Sequence, residues 1–209
     1  MKNSFRILAL AAVAAPAVFL TGCATGVQNP SGVPVTEMKA DERGFVAGTG
    51  VESQDLVAVT DKMARGVLGI PEITSAKVAP RIVLDPVVNE TRFPINKDIF
   101  LTRIRSQLNE KSMGKVRFLD REMMKTLERE RDLKRSGQVT ASSDPNVVEF
   151  RGADYFLTGK LQGLTTKSSQ GTSDYILYSF RLTDARTSEI VWESSSEIKK
   201  QGLEDAAYR

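Results

Sequence analysis

Acid–base chemistry in this chain has to come from carboxylates. The sequence contains no histidine and one cysteine, Cys23. That excludes a Ser-His-Asp triad, a Cys-His pair, a histidine-bearing zinc site and an intrachain disulfide. Asp85, Glu90 and Asp98 gather around the loop after an apolar run at 81–88, a position where α/β sheets often bind ligands. A glycosidase would need two such carboxylates about 5–10 Å apart across a cleft. Spacing alone shows no cleft, and Asp98 equally suits the first turn of a helix, where the dipole favours an acid. Gly44, Gly48 and Gly50 open no strand–helix phosphate loop. Trp192, Tyr155, Tyr175 and Tyr178 fall in strand-like runs and read as core or sheet-surface residues rather than a stacking platform. No catalytic residue, metal ligand, cofactor or small-molecule substrate is expected.

The one cysteine offers a different chemistry. Lys2 and Arg6 precede an uncharged apolar run from Ile7 to Leu20. That run is short for a membrane span, which needs about 20 residues, and suits the apolar region of a secretory signal. It ends in Leu20-Thr21-Gly22-Cys23, which resembles the bacterial lipobox. The resemblance implies a diacylglycerol on the Cys23 thiol, cleavage between Gly22 and Cys23, and often acylation of the new amine, palmitate included. Two or three acyl chains make such anchoring stable, at about 0.8 kcal/mol per buried CH₂. Ala24, in place of Asp, implies the outer membrane by resemblance to the enteric sorting rule.

Charge points away from nucleic acid. The whole chain carries 29 basic and 26 acidic side chains, a formal +3. Without Lys2 and Arg6 the balance is close to neutral, with no basic face of the kind nucleic acid requires. The basic-looking run Lys125–Arg135 interleaves Glu128, Glu130 and Asp132, as a solvated helix face does.

Residues 1–22 read as the signal and 23–50 as the lipidated cysteine and a flexible tether, rich in glycine with Pro30 and Pro34. At ~3.3–3.6 Å per residue the tether reaches roughly 90 Å fully extended, and about 30 Å as a relaxed coil. Residues 51–200 read as one domain, with a tail over 201–209. Ser53 is a candidate cap for a helix with Leu56, Val59, Met63 and Val67 on one stripe. Arg81–Val88 reads as a strand in which Pro86 marks a bulge or an edge. Asn96 is the candidate cap of a second helix bearing Phe100, Ile104 and Leu108, with Ile95 and Phe100 spaced as a staple, and Gly114 stands where it should stop. Val116–Leu119 is a short strand, Asp120 opens a third helix, and Asp144-Pro145 starts a short fourth. The period then becomes two: Tyr155–Leu161, Tyr175–Leu182 and Glu189–Glu193 read as an antiparallel meander, with Glu197–Arg209 beyond the last clear strand. These elements predict an α+β domain with a single mixed sheet of about five strands against three to four helices.

Three segments of this domain resemble the LpoB family. They are Val83-Leu-Asp-Pro-Val-Val-Asn-Glu-Thr91, Gly152-Ala-Asp-Tyr-Phe-Leu-Thr-Gly159 and Arg186-Thr-Ser-Glu-Ile-Val-Trp192. They occur in the family's order and behind a lipobox. The resemblance spans roughly 55–200. It implies a domain like the N-terminal domain of TolB and a non-enzymatic outer-membrane lipoprotein facing the periplasm. Such a protein activates a bifunctional class A penicillin-binding protein in peptidoglycan biosynthesis and so influences cell shape. The enteric tethers are longer and richer in proline than this one. The curli-pore and flagellar lipoproteins share related domains, so a secretion- or envelope-associated structural role is the alternative. The residues themselves suggest a contact loop at Asn89, Arg92 and Phe93, which pairs an Arg with an aromatic as interface anchors do. The competing reading folds Phe93 back onto the sheet.

Overall fold

The computed structural model describes residues 36–44, 47–140 and 150–203. Cys23 and the helix expected at Asp144-Pro145 lie outside them. The first stripe forms α1, Ser53–Leu68, which buries Val59, Met63 and Val67. Its cap is Glu52 rather than Ser53. Asp55 accepts the Glu52 N–H at 2.8 Å and completes a reciprocal capping box, which sets the boundary one residue earlier. Pro71 opens the single turn α2, Pro71–Thr74.

The apolar run at 81–88 is divided rather than bulged. β1 covers Arg81–Leu84 and β2 covers Val88–Glu90. Both lie parallel to the same long strand, β4 (Tyr155–Ser168), one after the other along its edge. Pro86 has no N–H for the ladder, and the chain steps over it while Asp85 N–H still reaches the Leu157 carbonyl at 2.9 Å. That division gives six strands in place of about five. β3, Arg117–Phe118, flanks β1 in parallel, and β5 (Gly171–Asp184) and β6 (Ile190–Gly202) complete an antiparallel meander from β4. The order is β3-β1-β4-β5-β6. β6 continues through Glu197 to Gly202, because each residue out to Gly202 finds a partner on β5.

Helix α3, Asp98–Lys111, packs with α1 beneath one face of this sheet. Asn96 accepts the Asp98 N–H at 3.2 Å, although the cap position itself falls on Lys97. The helix ends before Met113 and Gly114, both at positive φ. Phe100, Ile104 and Leu108 meet Ile176, Tyr178, Phe180 and Leu182, the alternate residues of β5, in the core. Phe100 lies 5.8 Å from the Tyr178 ring and 6.3 Å from the Phe180 ring, centroid to centroid. Helix α4, Met124–Arg135, buries no residue. Asp120 caps a separate turn ahead of it, accepting the N–H groups of Glu122 and Met123.

Two glycines make room for aromatic rings. Gly159 faces Phe180 across the ladder, and a Cβ there would fall 2.5 Å from the ring. Gly66 on α1 leaves space for the Trp192 indole, which a Cβ would approach to 2.8 Å. Phe180 is fully packed and has nowhere to retreat. Gly159→Val should therefore lower the unfolding free energy by about 2–3 kcal/mol, seen as an earlier denaturant midpoint at unchanged slope.

Candidate functional site

Two of the three candidate carboxylates share a crevice and the third stands apart. Asp85 and Asp98 line one crevice of about 450 Å³ at the carboxyl ends of β1 and β3. Glu90 stands apart, on the sheet face away from the helices, paired with Lys160 at 2.8 Å. The Lys160 ammonium holds the Glu90 carboxyl below its ordinary range. A general acid needs the opposite shift. Among the described residues no group of three or more Asp, Glu or Cys could hold a metal ion, and no helix is long and apolar enough to cross a membrane.

The 89–94 turn is built inward. Asn89 accepts from the Thr91 N–H at 3.0 Å and the Thr91 hydroxyl at 2.7 Å, and its amide donates to the Phe93 carbonyl at 2.8 Å. Phe93 is 4% exposed and belongs to the core. Of the two readings of this turn, the structure shows the one in which the aromatic ring folds back under the sheet. Arg92 lies over that ring, 4.3 Å from its centroid, and forks onto Asp174.

Asp174 organises this end of the molecule. It sits on the buried face of β5 at 2% exposure. Arg92 donates to its two carboxylate oxygens at 2.9 and 2.6 Å. The Thr165 hydroxyl on β4 and the Thr49 hydroxyl ahead of α1 each donate at 2.5 Å. The hydrogen bonds from Arg92, then those from Thr165 and Thr49, bring the carboxyl down to about 2. A second link lies beside the first. Lys200 on β6 donates to Asp55 at 2.5 Å and to the Gly50 carbonyl at 3.0 Å, and Gly48 N–H donates to Glu52 at 2.9 Å. Gly48, Thr49 and Gly50, read from the sequence as tether, are thus bound into the fold. Asp174 signals this only as a charge breaking an apolar alternation, and its partners are remote in sequence.

The opposite end of the meander carries two of the signature segments. Asp154 accepts the Arg81 N–H at 2.7 Å, and its carbonyl accepts the Ala185 N–H at 2.9 Å. This ties the start of β1, the start of β4 and the β5–β6 turn together. Asp184 folds that turn by accepting the N–H groups of Thr187 and Arg186, which hold its carboxyl below the ordinary range. An open groove of about 620 Å³ lies here, between Arg81, Tyr155 and Arg186. Trp192, at the end of the third segment, packs on Gly66 as core. Tyr178 is fully buried, and Tyr155 and Tyr175 are half-buried sheet residues.

The family model described as the peptidoglycan-synthase activator LpoB matches residues 55–198. Among solved structures, the LpoB C-terminal domain from Salmonella enterica is 12% identical, covers 69% of this chain and 98% of its own, and superposes with a TM-score of 0.42. The NMR structure of E. coli LpoB is 16% identical, covers 91% of each chain and gives a TM-score of 0.40. Lipoprotein GNA1162 from Neisseria meningitidis is 19% identical over 58% of this chain and 83% of its own, with a TM-score of 0.37. A comparison with curated protein sequences finds no match.

The low pKa of Asp174 makes stability depend on acid. The stabilisation is complete above the ordinary aspartate pKa of about 4 and is lost as pH falls towards about 2. Asp174→Asn should cost about 2–3 kcal/mol at pH 7, part of the Arg92 charge staying in water. The gap to wild type should narrow between pH 4 and pH 2 in chemical denaturation curves.

Two thirds of the chain thus match a regulatory rather than enzymatic family, and the three signature segments lie where they hold the sheet, its turn and its helix in register: this chain belongs to the LpoB family of peptidoglycan-synthase activators.

Proposed function

We infer that this protein is an outer-membrane lipoprotein that binds a bifunctional class A penicillin-binding protein and raises its activity. The observation that carries this reading is the family match over residues 55–198 standing behind the lipobox at Leu20–Cys23. Cleavage between Gly22 and Cys23 would leave Cys23 as the lipidated first residue, facing the periplasm. The domain would then act by docking, as the regulatory family it matches implies. No nucleic acid, cofactor or small-molecule substrate enters this reading.

The tether sets the reach. With Gly48 already held by Glu52, residues 24–47 would serve as the spacer, with a contour of roughly 80 Å at ~3.3–3.6 Å per residue. A spacer that must be nearly extended loses effective concentration steeply when it is shortened.

Three experiments test this function. Cys23→Ser should leave the precursor uncut and shift the protein out of the outer-membrane fraction. Processing and outer-membrane fractionation that persist in that variant would overturn the anchoring. The folded domain without its anchor should still stimulate glycan polymerisation by the purified synthase. Removing about ten residues from 30–39 takes away roughly 35 Å of contour. Activation in cells should then fail, and sending the shortened protein to the inner membrane should restore it. Normal activation by the shortened protein from the outer membrane would overturn the requirement for a nearly extended spacer, and loss of activation that inner-membrane retargeting does not restore would favour the secretion- or envelope-associated alternative.

A further inference from the structure

The sheet has one long open edge. Its order is β3-β1-β4-β5-β6, so β3 and β6 lie at its two ends. β3 covers two residues, whereas β6 runs for 13. A row of unpaired N–H and C=O groups invites another strand, and long edges are ordinarily guarded by proline, bulges, charges or a covering element. β6 has no proline, and its one irregularity lies at its start, opposite Leu182 and Thr183. Among the described residues no strand pairs with its outer side. Charges are its main guard.

The ladder decides which groups face outward. On an antiparallel strand the N–H and C=O of alternate residues turn to the same side. Asp184 N–H reaches Glu189 across the β5–β6 turn, and Ala185 N–H turns the other way, to Asp154 ahead of β4. Even-numbered residues of β5 therefore address β6. Past the irregularity they meet even-numbered partners, from Leu182 with Trp192 to Thr172 with Gly202. The N–H and C=O groups of Glu193, Ser195, Glu197, Lys199 and Gln201 are left on the open side. The Ser195 carbonyl bears this out, since it accepts from a side chain of α1, Lys62 Nζ, at 2.5 Å.

The charges on this edge match the same edge turned end for end. Ser196 is the midpoint of Ile190–Gly202. A second copy that overlaps the whole strand in antiparallel sense has its two-fold axis there. Glu193 then stands directly opposite Lys199 of the second copy, and Lys199 opposite Glu193 of the second copy. Among the described residues neither is held in an ion pair within its own chain. Odd-numbered residues meet odd-numbered residues, so the outward N–H and C=O groups of the two copies face each other. Glu197 meets Ser195 of the second copy, and its carboxylate is bonded by Tyr175 of its own sheet. An axis one residue away fails: at Ser195 it sets Glu193 against Glu197, and at Glu197 it sets that acid against itself.

We propose that β6 is a homotypic interface, on which a second copy of this chain adds its own β6 antiparallel about Ser196 and joins two six-stranded sheets into one. The Ser195 carbonyl then accepts the Glu197 N–H of the second copy. Opposite charges set directly across the new ladder fix its register.

The test places single cysteines on the edge of the full-length chain, expressed in its own cells and treated with a thiol oxidant. Wild type, with Cys23 alone, is the baseline. The two Ser196 residues would form a non-hydrogen-bonded pair, about 4.5 Å between Cα atoms and within disulfide reach. Ser196→Cys should therefore give a disulfide-linked dimer. Ser194→Cys should give about fivefold less or lower, its two copies lying roughly 14 Å apart along the strands at ~3.4 Å per residue. In the Ser196→Cys chain, Lys199→Glu should cut the dimer about fivefold or more, and Lys199→Gln should give a smaller loss of the same sign. Adding Glu193→Lys to Lys199→Glu restores the opposite pairs and should bring the dimer back to within about twofold. Absence of the dimer in a Ser196→Cys chain that melts as wild type does would overturn the proposal. So would equal cross-linking at Ser194 and Ser196, or a charge swap that restores nothing. A disulfide from Ser196→Cys to a different protein in place of the dimer would also overturn it and reassign the edge to that protein.

Discussion

A carboxylate taken out of water must be answered by donors, or its desolvation costs several kcal/mol. Asp174, at 2% exposure, is answered from chain segments 125, 82 and 9 residues away in sequence. The positions of Thr49, Arg92 and Thr165 follow from that requirement. Arg92 in turn lies over Phe93, so the turn after β2 closes over the core at the place where its guanidinium is held. Asp55 works in the same way on a smaller scale. It caps α1 through the Glu52 N–H and also receives Lys200 from β6. Two buried acids therefore stitch the chain ahead of the domain, its first helix and its last strand to one end of the sheet.

The rest of the fold is decided by size. Helices α1 and α3 lie against one sheet face, and that face has to admit Phe180 and Trp192 without voids. Gly159 and Gly66 provide the space. This explains what the signature segments do. Gly159 ends one of them and Trp192 ends another, and Asp154 within the first fastens β1 to β4. They hold the fold's geometry, so the match to the family reports on architecture before it reports on the partner.

Much of this was legible beforehand. The alternation of Ile176, Tyr178, Phe180 and Leu182, and the stripe Val59–Met63–Val67, gave strand and helix with the correct buried faces, because solvent exclusion writes itself into a period of two or of 3.6. Boundaries were less legible. Ser53 is a good cap by type, yet Glu52 takes the position because Asp55 can answer it. The run at 81–88 was one strand by composition and two in space, since Pro86 interrupts pairing that its apolar neighbours resume. Phe93, beside Arg92 in a polar turn, carried no sign of which way its ring pointed. The binding of Thr49 could not be read at all: a glycine-rich segment looks like spacer until its distant acceptor is known. Helix α4 has an acceptable apolar spacing and still buries none of its residues.

The arrangement at residues 48–50 has a mechanical meaning. Tension drawn through the chain ahead of Gly48 does not arrive first at the free end of α1, where a helix would unravel turn by turn. It meets Gly48–Glu52, Thr49–Asp174 and Gly50–Lys200 in turn. Each of these contacts has to be peeled away before the pull reaches the first turn of α1. Two of them end on central and edge strands of the sheet, so a pull is spread across the meander rather than concentrated on one helix. The fold holds its leash with a grip set largely in the sheet, and only the cap of α1 shares the load.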